Sequence, residues 1–313
     1  MMREELLNYP QIDVNSDWYV VFELPHKMYA ITEPYHFQEV ISFLILGDKA
    51  AILLDTGMGL KPIRPILSKL TDLPVIPISS HGHFDHIGGN YEFESVWGWP
   101  AEETVRSAKE DLHFPEDDPN IQPEAFERPV LNLDEYCRKA YNLNPLKEQQ
   151  EFDLGGRIWT VKFIGGHSDD SIVLYSEREK LLCTGDLIYP GPLYVKTGLK
   201  EYMEACEILA REFSDYTLVC SHNIPLADGS LLGRVADTFV QIRRKELVGQ
   251  VDSRGRTMYR QSGVEILIWP DAILCAIIKR LWRHINYEYF IYNDIRDVVR
   301  FRPGLSHGDV RRA

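Results

Sequence analysis

Three things are scarce in this sequence. Cysteine is one: there are 5 (Cys137, Cys183, Cys206, Cys220 and Cys275), an odd number, scattered and without a CxxC pair. A disulfide framework is therefore excluded, and the thiols read as reduced, mostly buried side chains of a cytoplasmic protein. Long apolar runs are another. None approaches the roughly 20 residues that cross a bilayer, and Met1-Met2-Arg3-Glu4-Glu5 leads into no apolar h-region. Neither a membrane span nor a secretory signal is expected. Positive charge is the third: 34 Lys and Arg stand against 47 Asp and Glu, a net −13 that argues against nucleic acid as a partner.

What remains is ordinary globular composition, 44% hydrophobic and 26% charged over 313 residues, enough for one large domain or two modest ones. The acid excess lies in residues 1–222, with 37 acidic against 19 basic, while residues 223–313 carry 15 basic against 10 acidic. That basic tail is expected to lie against the acidic body, to face a second subunit in a homodimer, or merely to even the balance. Its aromatic residues (Trp269, Trp282, Tyr287, Tyr289, Phe290, Tyr292) suit a pocket cover, a dimer face or plain core packing.

Short β-rich runs open the chain at 18–22, 28–31, 40–46 and 51–54, with Gly47-Asp48 as a tight-turn signal between the last two. Within 62–70, apolar residues at Ile63, Ile66, Leu67 and Leu70 have the spacing of a helix face. Further strands are expected at 75–78, 158–164, 172–175, 181–183, 218–220 and 264–269, and helices at 202–213, 230–247 and 273–285. Residues 98–151 differ: they hold 13 acidic and 6 basic residues and 6 prolines. Helix is expected there only near 102–112. The rest is an acidic excursion long enough for a lid or a substrate-lining insertion, or a solvated loop.

The strongest signal is His81-Gly82-His83-Phe84-Asp85-His86, directly after the 75–78 strand. Three imidazoles and a carboxylate in six residues are hard to explain as packing, and their donor atoms suit zinc and similar ions. Alternate residues of an extended segment point the same way, so His81 and His83 can hold one ion. Asp85 and His86 fall where glycines tighten the backbone, and can face a second. His167, Asp186 and His222 each follow an apolar run, and strand ends gather on one rim of a sheet. His26, His36, His113 and His307 stand apart from these blocks and are expected to be structural or superficial.

Together with Leu54-Asp55-Thr56-Gly57 ahead of the run, and Gly166-His167-Ser168, Thr184-Gly185-Asp186 and Ser221-His222 behind it, the sequence resembles the metallo-β-lactamase-fold hydrolase superfamily over about residues 18–225. The resemblance implies an α/β (α+β) fold, a four-layer αββα sandwich with the acidic insertion and a C-terminal extension. Residues 1–225 would be the catalytic domain, with 98–151 inserted, and 226–313 would pack on it. It implies that His81, His83 and His167 hold a first metal, that Asp85, His86 and His222 hold a second, and that Asp186 bridges them. Asp55 would support the ligands from behind. Two zinc ions are the expected cofactors, with iron or manganese also at home on the scaffold. Asp169-Asp170 stands where a small residue or Pro-Gly is usual, and Ser221 where glycine often precedes the last ligand.

The expected reaction is attack by a dinuclear-metal-bound hydroxide on an ester-like carbonyl, in a lactone, carboxylic ester or acyl thioester. Asp85 would orient the nucleophile and shuttle the proton. Tyr189 follows Asp186 by three residues, a spacing similar to lactone-hydrolysing members, and its phenol could serve an oxyanion. The stretch Asp186-Leu187-Ile188-Tyr189-Pro190-Gly191-Pro192-Leu193-Tyr194 also looks like that of acyl-coenzyme A thioesterases. The substrate is thus expected to be a small acyl or lactone molecule. Two other readings are a mononuclear-iron persulfide dioxygenase on the same fold and a non-catalytic metal-binding protein.

Overall fold

A computed structural model of the chain describes residues 3–114, 118–127 and 136–272. The helix expected at 273–285 and the aromatic residues from Trp282 onward lie outside those limits, as do Cys275 and His307.

Two sheets carry the fold. The first runs in the order Gln11–Ile12, Val20–Leu24, Met28–Thr32, Ile41–Leu46, Ala51–Leu54, Val75–Ile78, Val96–Gly98, Leu143–Pro145. Its first five strands form an antiparallel meander and its last four pair in parallel. The second runs Glu151–Asp153, Ile158–Phe163, Ile172–Ser176, Leu181–Gly185, Thr217–Cys220, Leu226–Asp228. Both have helices outside and their inner faces together, the αββα sandwich. The acidic excursion is therefore not all loop: after the Glu102–Lys109 helix it returns through Leu143–Pro145 to extend the first sheet beside Val96–Gly98.

The side-chain period of 2 sorts the apolar residues between layers. Ile52 and Leu54 point inward with Phe43, Ile45 and Ile78, against Trp159, Val161, Leu174, Leu181, Cys183 and Val219 of the second sheet. Ala51, Leu53 and Leu44 point outward onto Ile63, Ile66 and Leu67, the face of the Arg64–Leu70 helix. Val173, Leu182, Leu218 and Cys220 point outward from the second sheet onto the Leu199–Glu212 and Ser230–Arg244 helices, through Tyr202, Cys206, Leu209, Leu232 and Phe239. Strands buried on both faces read as unbroken apolar runs, which is why alternation was not visible in the sequence. A smaller sheet pairs Pro192–Val195 in parallel with Val264–Ile268, and Leu193, Val195, Ile266 and Ile268 join the same outer core.

Strand direction places the site. Ile158–Phe163 and Leu181–Gly185 are each antiparallel to Ile172–Ser176, hence parallel to one another, and Thr217–Cys220 is parallel to Leu181–Gly185. All three end at one edge and release His167, Asp186 and His222 there. In the first sheet Ala51–Leu54 and Val75–Ile78 are parallel too, and release Asp55 and His81. The sheets are joined at that edge by Ile172 N–H donating to Ser80 O at 2.9 Å and Ile41 N–H donating to Ser221 O at 2.8 Å.

Among the described residues no helix is long and apolar enough to cross a membrane. Cys137, Cys183, Cys206 and Cys220 are free thiols, the last three buried. Burial pushes all three of those thiols up from their ordinary pKa.

Candidate metal centre

The run after Val75–Ile78 is not the continuous extended segment expected: it bends at Ser80 and His81, is extended again at His83, and then turns into a four-residue helix, Phe84–Ile87. His81 Nε2 lies within 2.9 Å of His83 Nδ1, and His167 Nε2 reaches the same His83 nitrogen at 3.0 Å. The helical turn swings Asp85 and His86 to a second group with His222, whose Nε2 lies 3.3 Å from His86 Nε2. Asp85 Oδ2 stands 3.7 Å from His86 Nε2 and 3.8 Å from His222 Nε2.

Asp186 divides its carboxylate between the groups. Oδ2 faces His167 Nε2 at 3.6 Å and His81 Nε2 at 3.8 Å; Oδ1 lies 3.0 Å from His222 Nε2 and 3.1 Å from His86 Nε2. A register shift between Cys183 and Gly185 turns the strand end that carries it. All seven ligand-type residues singled out in the sequence thus meet at one edge, in two groups that share a carboxylate.

The distal nitrogens fix which atoms point inward. His86 Nδ1–H donates to Asp55 Oδ2 at 2.8 Å, and His222 Nδ1–H donates to the Gln38 carbonyl at 2.7 Å. Ser80 Oγ–H donates to Asp55 Oδ2 at 2.9 Å and so accepts from His81 Nδ1–H at 3.0 Å. In each neutral ring Nε2 is left as a lone pair facing the centre.

Those lone pairs test the fit of a cation. Asp186 Oδ1 is buried and has no hydrogen-bond partner, while facing two imidazole nitrogens at contact distance. Acceptor facing acceptor in a buried site is repulsive unless a cation or a proton lies between. The electrostatics agree. Burial pulls His86 and His222 down, but Asp186, Asp85 and, for His86, Asp55 outweigh it and hold both rings above their ordinary value. Burial pushes His81 and His167 well below theirs, with neighbouring histidines adding, and lowers His83 as well. Burial raises Asp186, yet His222 and His86 outweigh it and hold the carboxyl well below the usual range. Five imidazoles and two carboxylates fit borderline divalent ions.

Tyr189 packs its ring 5.2 Å from that of His222, and its hydroxyl donates to the Pro192 carbonyl at 2.7 Å. Asp170, the departure noted in the third block, accepts from Ser168 Oγ and Thr104 Oγ1, each at 2.6 Å, and so ties the His167 loop to the acidic insertion. His36 is buried against Phe37 and Phe126 and contacts the Asn120 carbonyl; His26 and His113 are exposed. None of the three reaches the centre.

Three contributors escaped the sequence reading. The Gln38 carbonyl that orients His222 carries no side-chain signal. Ser80 was visible only as the neighbour of His81. Glu33, fully buried behind the 55–59 loop, accepts from Trp18 Nε1 at 2.6 Å and Met58 N–H at 2.8 Å, and burial raises its pKa to about 7. A lone glutamate after an apolar strand had no motif to mark it.

A family model described as the metallo-beta-lactamase superfamily matches residues 39–222. Acyl-coenzyme A thioesterase MBLAC2 of Homo sapiens is 24% identical over 234 residues, covering 70% of this chain and 80% of the relative. Its namesake in Gallus gallus is 27% identical over 208 residues, covering 62% and 69%. Among solved structures, a metallo-beta-lactamase from Pontibacter korlensis superposes with TM-score 0.53 at 22% identity, over 71% of this chain and 99% of that one. A metallo-beta-lactamase family protein from Thermus thermophilus gives 0.52 at 22%, over 71% and 82%.

Proposed function

The chain belongs to the metallo-β-lactamase superfamily, as one of its hydrolases, and from that premise we propose that it cleaves an acyl thioester of the acyl-coenzyme A type. The observation that carries the proposal is the Asp186 carboxylate shared between two inward-facing ligand groups. Thioester is favoured among carbonyl substrates by the thioesterase relatives.

His81, His83 and His167 would hold one divalent ion, Asp85, His86 and His222 another, with Asp186 between them and zinc as the first choice. Two such cations supply hydroxide at neutral pH and an electrophile for the carbonyl. The remaining work belongs to side chains. Asp85 takes the proton of the attacking water and returns it to the leaving thiolate. Asp55, Ser80 and Gln38 keep the imidazole tautomers fixed, so no ring must turn during the reaction. Tyr189 can serve the oxyanion only by exchanging its bond to Pro192 for the substrate oxygen, and it is a candidate donor on those terms.

Specificity for such a substrate is supported by two features near the ligand-type residues. Phe84, between the ligands His83 and Asp85, meets Phe114 edge-on at 5.3 Å, and Phe114 stacks on Tyr136 at 5.2 Å. These half-buried rings offer an apolar wall for the acyl chain. Lys196 is exposed, and its positive charge adds to burial in lowering His83 and His167, so a cation is felt at the first group. It suits the phosphates of a coenzyme A leaving group.

The test is a panel of acyl-coenzyme A, lactone, oxoester and phosphodiester, with zinc-loaded and chelated enzyme. Chelator-sensitive thiol release from acyl-coenzyme A is expected. Lactone turnover without thiol release would overturn the thioester reading, and oxygen consumption on a persulfide by iron-loaded protein would replace hydrolysis with dioxygenase chemistry.

A further inference from the structure

The backbone of Met58 is held on both sides. Its N–H donates to Glu33 Oε1 at 2.8 Å, and its carbonyl accepts the Tyr136 hydroxyl. The other Glu33 oxygen accepts from Trp18 Nε1 at 2.6 Å, and the residue is 1% exposed. A carboxyl buried so completely is tolerated only because each oxygen has a donor. Gly57 makes room for it: a Cβ there would lie 1.9 Å from Glu33 Oε1, and its φ of +69° is one that glycine adopts without strain.

The loop that Glu33 grips lies on the short helix of the second ligand group. Thr56 N–H donates to His86 O and Gly88 N–H donates to Gly57 O, both at 2.8 Å. Asp55, at the head of the loop, receives His86 Nδ1–H while held at φ +61°, a left-handed conformation that a non-glycine residue keeps only when its surroundings over-determine it. Among the described residues the Glu33 carboxyl hydrogen-bonds to Trp18 and Met58 and not to the seven ligand-type residues, of which Asp85 and His86 act on it through their charge. It reaches them through Met58, Gly57 and Asp55.

We propose that Glu33 is a positioning residue for the second ligand group: by fixing the Met58 backbone it holds Asp55 in its left-handed turn and so aims His86 Nε2 at Asp186. This rests on the two-ion reading of the centre and not on the choice of substrate. An ordinary core residue in this place would support the fold as a whole and treat both ion sites alike.

The experiment is a Co2+ titration of the full chain followed by its visible absorption, for the parent, Glu33→Leu, Glu33→Gln and His86→Ala. The band lost in His86→Ala identifies the second site. Glu33→Leu, which removes both acceptors, is expected to weaken that site about 10- to 100-fold while leaving the first unchanged. Glu33→Gln keeps one acceptor and turns an NH2 toward the other donor, so it should fall between; it also carries the test should the leucine variant not fold. Equal weakening of both sites, or unchanged affinities beside a lowered melting temperature, would overturn the proposal. A parent that binds a single ion would overturn the two-ion reading instead.

Discussion

His86 gives its Nδ1 proton to Asp55, 31 residues earlier in the chain, at 2.8 Å, and both side chains are wholly buried. The pair leaves His86 a single orientation, with Nε2 toward the centre. Asp55→Asn keeps the size and the tolerance for a left-handed turn but removes the charge. It should weaken the second ion about 10- to 100-fold and the first little. Competition with a chromophoric chelator measures both.

Acid should strip the two ions in order. His86 and His222 are held above their ordinary value, so an ion must displace protons from them, whereas His81, His83 and His167 are already neutral at pH values where free imidazole is charged. As pH falls, the second ion is therefore expected to leave first. Metal content after dialysis at stepped pH should show two losses. A single joint step would contradict the electrostatics.

Asp85→Asn bears on proton transfer and on the second ion together, so kcat is to be read beside the measured metal content. Loss of the carboxylate is expected to cost about 10²- to 10⁴-fold in kcat, the usual range for a general acid–base group. The first ion should stay. Full activity in a variant retaining both ions would remove Asp85 from the proton path.

The aromatic wall predicts chain-length discrimination. Phe84→Ala and Phe114→Ala should lower kcat/KM for a long acyl thioester while sparing an acetyl thioester, by roughly 10-fold or more per ring at about 1.5–3 kcal/mol for a buried aromatic side chain. A uniform loss across lengths would place the acyl chain elsewhere.

Glu33 gives the ion-free protein a pH-dependent stability of known sign. Its folded pKa, about 7, lies above the ordinary value of 4.5, so the folded state binds the proton more tightly. Stability from this group is fully present below about pH 4.5 and is lost as pH rises toward 7, on the order of 3 kcal/mol in all. The difference between parent and Glu33→Gln in urea unfolding across that window should show the slope.

The gathering of the seven ligand-type residues at one edge was legible because each sits in a local motif or just past an apolar run, where parallel strand ends must gather. Asp55 was legible for the same reason. The supports were not: Gln38 acts through its backbone, and Glu33 reaches the site only through chain brought near by the meander. Leu143–Pro145 is three residues ending in proline, too short for a period, so its return to the first sheet could not be read. Val264–Ile268 was legible as a strand. Its partner Pro192–Val195 was hidden in the Pro190-Gly191-Pro192 stretch, and the pairing is long-range. Tyr189 was read by spacing, which cannot say where a hydroxyl points.

His86 belongs to the first sheet's half of the molecule and His222 to the second's, 136 residues on. An ion held by both would therefore work as a rivet between the two halves. The unfolded chain gathers no such set of donors, so the ion would bind the folded state alone and its binding energy would add to folding. Saturation a thousand-fold beyond the dissociation constant adds about 4 kcal/mol. Chelation should thus lower the melting temperature as well as silence the enzyme, and such a rivet would make metal supply a determinant of how long the protein survives.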